Sequence, residues 1–109
     1  MRSAGILIVA LGLPLAGCAT VYDLENRMPD ARYTSTKSVP TLTQCVSGGM
    51  SSLGRYEVER GADSTYITLT TQTGNPAARV TIRATQSGSV MMVRQTINYS
   101  LGRVIERCL

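Results

Sequence analysis

The 109-residue chain contains no histidine, no phenylalanine and no tryptophan, and its only lysine is Lys37. Without histidine the usual base of a serine or cysteine triad is missing, and a Ser–Lys pair would have to recruit Lys37 from a polar, irregular stretch. Gly48-Gly49 and the turn glycines fit no phosphate-loop spacing. One acidic pair stands out, Glu57 and Glu59. Two positions apart on a strand, they lie about 7 Å apart on one face, a spacing compatible with paired-carboxylate hydrolysis. Arg55 and Arg60 flank them, so they read as a charge-balanced, solvated strand face. No catalytic residue, metal site or soluble cofactor is expected.

With five tyrosines as its only aromatic residues, the chain must build its core from aliphatic side chains and methionine. Long apolar runs are also scarce. The longest, Ala4 to Ala16, spans about 13 residues, and as a helix it would reach about 20 Å, short of the roughly 30 Å needed to cross a bilayer. It follows a short basic start, Met1-Arg2-Ser3, and ends in small residues. A charged start, a short apolar centre and a small-residue end are the parts of a secretory signal.

Leu15-Ala16-Gly17-Cys18 resembles the lipobox of bacterial lipoproteins and matches it at all four positions. The resemblance covers only this N-terminal segment. It implies that residues 1–17 are removed, and that Cys18 carries a covalent diacylglycerol and a further N-acyl chain (palmitate is the usual acyl group). Two or three acyl chains hold a protein on a membrane stably, where one does so marginally. In Gram-negative members an Asp after the cysteine favours retention in the inner membrane. Here Ala19 and Thr20 follow, which implies a lipid anchor in the outer membrane with the domain on the periplasmic side.

Removing the signal leaves 92 residues (109 less 17), with ten basic residues (11 less Arg2) against seven acidic ones. A net of about +3 is far from the polybasic density of a nucleic-acid binder, and an exported location argues against nucleic acid as well. A domain this small is near the limit of what hydrophobic burial alone stabilises. With Cys18 assigned to lipid, Cys45 and Cys108 remain as an even pair in an oxidising compartment. Joined, they would close a loop of about 64 residues, for roughly 4 kcal/mol. The alternatives are two buried free thiols or a metal pair, and two cysteines without histidine make a poor metal site.

Residues 18–37 mix charges, Pro29 and Ser/Thr without an apolar period, and read as a lipidated tether or linker. Val21, Tyr22, Leu24, Met28 and Tyr33 are its candidate docking residues. The domain is expected over residues 38–109. Ser38 can cap a helix with Pro40 in its first turn. Leu42, Cys45, Val46, Gly49 and Leu53 follow at helical spacing, with Gly48-Gly49 weakening the helix and Gly54 placed to end it. Four alternating runs come next: Arg55–Arg60, Thr65–Thr71, Ala78–Thr85 and Ser89–Ile97, separated by turn residues. Leu101, Val104, Ile105 and Cys108 then mark one face of a closing helix, capped by Asn98 or Ser100. The fold class is therefore α+β: a two-layer sandwich of a four-stranded antiparallel meander flanked by N- and C-terminal helices, in the order α-β-β-β-β-α.

The outward sheet face is expected to expose Arg79, Arg83 and Arg94 with Tyr66, Thr68, Thr70, Thr81 and Thr96. Arginine forks with hydroxyls around them suit carboxylates and phosphates. Val90 and Met92, apolar on both sides of their strand, mark either a partner-contact edge or an additional buried position. Two functions fit these residues. One is a structural or protein-interaction module of the cell envelope with an envelope protein as partner. The other is a binding module for an anionic envelope polymer, peptidoglycan or lipopolysaccharide, through the arginine face.

Overall fold

The computed structural model describes residues 24–70, 72–96 and 101–109. The signal segment, the Leu15–Cys18 box, Val21, Tyr22, Ile97, Asn98 and Ser100 lie outside the described residues.

The described residues form an α+β domain: β1 (Ala31–Ser35), α1 (Val39–Met50), β2 (Arg55–Arg60), β3 (Ser64–Thr70), β4 (Pro76–Thr85), β5 (Gly88–Gln95) and α2 (Leu101–Cys108). The sheet has five strands in the order β1-β5-β4-β3-β2, and every neighbouring pair is antiparallel. The expected four-stranded meander is present as β2 to β5. The fifth strand, β1, comes from the stretch expected to be a linker, and extends the sheet beside β5. Its partner is remote in sequence, with Ala31 opposite Val93 and Tyr33 opposite Met91, so no local turn announces the pairing.

Alternation within each strand decides which face is buried. Val58, Ile67, Leu69, Ala78, Val80, Ile82, Met91 and Val93 meet Leu42, Val46 and Met50 of α1 and Leu101, Ile105 and Cys108 of α2 in one hydrophobic cluster. A register shift at Leu69/Thr70, where Thr70 pairs with Pro76, leaves Ala77 as an extra residue in β4. Such a bulge lets consecutive residues both be buried, as Ala77 and Ala78 are. Ala84, expected inside, is exposed at the end of β4.

Helix α1 starts where Ser38 Oγ accepts the Thr41 N–H, with proline in the first turn. It stops at Met50, short of Gly54. The hydroxyls of Ser51 and Ser52 donate to the Gly48 and Gly49 carbonyls, and such local bonds compete with continuing the helix. Gly49 permits a close approach, though to the other helix and not to the sheet: a Cβ there would run into the side chain of Val104. Gly88 opens β5 at φ 153°, and a Cβ on it would collide with the Ser35 carbonyl. It is the residue that lets β1 come alongside.

Cys45 and Cys108 form a disulfide with Cα atoms 5.7 Å apart, joining α1 to α2. Its two ends differ. Cys108 is buried at 1% exposure, whereas Cys45, expected on the apolar stripe, is exposed. Next to it, Lys37 Nζ donates to the Cys108 carbonyl at 2.8 Å, placing a cation where the α2 dipole is negative, alongside Arg107.

Candidate binding surface

Residues from five strands line up in rows across the face of the sheet away from the helices. One row reads Glu57, Thr68, Arg79, Arg94; the next Glu59, Tyr66, Thr81, Met92, Arg32; the next Ser64, Arg83, Val90, Thr34. The four residues expected to form a binding face, Arg79, Arg83, Arg94 and Tyr66, do share it. They are not equally open to a ligand.

Arg79 is only 5% exposed. Its Nε donates to Glu25 Oε1 at 2.5 Å and its Nη1 to Thr68 Oγ1 at 2.8 Å, while Glu59 Oε1 lies 3.7 Å from Nη1. The guanidinium sits over the Tyr66 ring, 4.5 Å from its centroid, a contact that the ring's quadrupole favours. The expected exposed arginine is thus a buried cation with four partners. The cause is the chain before β1. Leu24 is buried at 1% exposure and brings Glu25 over the sheet. Thr68 and Thr81, expected to face solvent, are buried beneath the same face.

Arg94 stands directly opposite Arg79, and like charges facing each other across strands repel. Their guanidinium groups diverge. Arg79 turns towards β3 and Glu25, and Arg94 Nε donates to the Arg27 carbonyl at 2.7 Å. Asp30 Oδ2 accepts the Gln95 N–H at 2.8 Å, and the Asp30 N–H donates to the Val93 carbonyl. Residues 24–30 are therefore tied along the outer face before β1 begins. Arg83 faces Val90, is exposed, and keeps one contact, from Nε to Ser64 Oγ at 3.3 Å. Val90 and Met92 do not mark an edge, because β1 covers that side of β5; Val90 is buried and Met92 half-buried.

Glu57 and Glu59 share the outer face, but Glu59 leans towards Arg79, while Glu57 lines a groove with Ser51, Gly54, Arg55, Tyr56, Thr70 and Gly74. Lys37 Nζ serves a helix carbonyl. No cluster of three metal-ligating side chains occurs among the described residues. Position alone in the sequence would not have found Glu25; the signal that was available is a carboxylate next to an apolar leucine in an otherwise polar stretch. No family model, curated protein or solved structure matches the chain.

Proposed function

We propose that this chain is an outer-membrane lipoprotein, anchored through acylated Cys18 and facing the periplasm, that serves as a structural or protein-interaction module of the cell envelope. The observation that carries this is the complete Leu15-Ala16-Gly17-Cys18 box behind a short apolar segment. The cysteine usage supports it: the two thiols left over form a disulfide, a bond kept in oxidising compartments and lost in reducing ones. Among the described residues no helix is long and apolar enough to cross a membrane, so attachment would rest on the lipid.

The packing of Leu24 gives the proposal a geometric consequence. Leu24, the first of the described residues, lies six positions after Cys18, a reach of at most about 20 Å. The domain would sit close to the membrane surface and meet partners there, and not at the end of a long leash. An anionic polymer as ligand is the weaker reading, since Arg79 and Tyr66 are already engaged with each other and with Glu25. The test is mass spectrometry of the N-terminal peptide from a Gram-negative host, with cross-linking in the intact envelope to identify the partner. A diacylglyceryl-modified Cys18 is expected; an unmodified N-terminus beginning elsewhere would overturn the proposal.

A further inference from the structure

Both edge strands of the sheet pair on one side only, β1 with β5 and β2 with β3. At β1 side chains tie down the strand's end: Ser35 Oγ donates to the Leu109 carbonyl, and Ser89 Oγ to that of Lys37. At β2 it is the order of the charges, Arg55, Glu57 and Glu59, that stands out. The Gly61 N–H donates to the Ser64 carbonyl at the hairpin, so by the alternation of an antiparallel ladder Arg55, Glu57 and Glu59 turn their backbone groups towards β3. The N–H and C=O groups of Tyr56, Val58 and Arg60 point away from the sheet. Tyr56 is also one of the few large apolar side chains left exposed among the described residues, at 39%.

We infer that β2 is a homodimer edge, on which a second copy of this chain adds its own β2 antiparallel, about a two-fold axis through Glu57. The charges suit this occupant, and charge together with strand length sets the register: a centre on Tyr56 would also oppose Arg55 to Glu57, but it would pair only residues 55–57 of the strand. Centred on Glu57, the pairing sets Arg55 opposite the second copy's Glu59, and Glu59 opposite its Arg55, on the outer face. On the helix side Tyr56 meets Val58 twice, and these are the residues whose backbone groups are free to exchange hydrogen bonds. Gly54 would face Arg60, leaving room for the long side chain. Shifted to a centre on Val58, the same strands would set Glu57 against Glu59 twice, which is repulsive. Charges on an edge commonly prevent strand addition; here their order is complementary to itself. The one like-charge contact is Glu57 with its own copy, and each Glu57 has an Arg55 diagonally across. Six residues a side make a small interface, so the dimer is weak.

This inference depends on the β2 edge and not on the anchor, and it is tested on the purified full chain in detergent. Cross-strand pairs without mutual hydrogen bonds bring Cα atoms to about 4.5 Å, within disulfide reach. Glu57→Cys is therefore expected to give a covalent dimer under mild oxidation, above any background seen with the unsubstituted chain. Arg55→Cys and Glu59→Cys are each expected to give little, and the two together to cross-link. In sedimentation, Arg55→Glu should weaken the dimer about tenfold. A chain that stays monomeric up to about 1 mM, equal cross-linking from all three positions, or an Arg55→Glu chain that associates as tightly as the unsubstituted one would each overturn the inference. So would a Glu57→Cys chain that cross-links only to other proteins.

Discussion

On the helix side of the sheet Ile67, Val80, Ile82 and Met91 are fully buried, and none of them needs a hydrogen-bond partner. On the outer side Arg79 is nearly as buried, and reaches that state with Glu25, Thr68, Glu59 and Tyr66 arranged around its guanidinium. The first face is stabilised by area removed from water and tolerates apolar side chains of similar volume. The second is stabilised only while its polar groups are matched, because a desolvated charge without partners is costly. One face is thus sensitive to size, the other to chemistry.

Substitutions can break that contrast, and their effects should fall in a definite order in chemical denaturation. Replacing both Cys45 and Cys108 by Ala removes the clamp over the helix side and should cost about 4 kcal/mol, the largest single loss in a domain this small. Ile82→Ala, at 0% exposure, should cost about 3 kcal/mol through lost burial and the cavity left behind. On the outer face Arg79→Ala should cost about 2 kcal/mol and Arg79→Met about half that. The methionine keeps the packing of the stem while losing the bonds to Thr68 and Glu25. If the two substitutions cost the same, packing contributes nothing there and the contrast between faces is sharper than drawn.

Thr81→Val should go the other way. Its Oγ1 is buried without a hydrogen-bond partner among the described residues, so an isosteric methyl should raise stability by about 1 kcal/mol. Smallest of all, Glu25→Gln should change stability by no more than about 0.5 kcal/mol, with the difference shrinking in added salt. The Glu25 side chain is 38% exposed, and water screens it from Arg79. A large, salt-resistant effect at Glu25 would mean that residues 24–30 are held far more firmly than a half-solvated ion pair allows.

Legibility from sequence followed the same division. Strand β2 spans Arg55–Arg60 as its alternation predicts, and α2 buries Leu101, Ile105 and Cys108 as its spacing predicts. Strand β1 was not legible. Ala31-Arg32-Tyr33-Thr34-Ser35 alternates, but with only Ala31 and Tyr33 to mark the inward side and with prolines and charges nearby. Its place in the sheet depends on β5, some sixty residues later. The arginine face was legible as a set of residues sharing one side, and not as a set of open or closed contacts. Nothing local to Arg79 says that a glutamate 54 positions earlier will fold back over it.

The order of the residues alone determined which side of each helix and strand is apolar, because a period of two or 3.6 is enough to aim side chains. It also left two thiols to pair once Cys18 is set aside. Tertiary structure decided that the sheet has a fifth strand, that Arg79 is enclosed while Arg83 is open, and that Cys108 is buried where Cys45 is not. These outcomes belong to segments far apart in the chain. They meet only where backbone groups and a buried charge can be satisfied together, a condition that no short stretch of sequence contains.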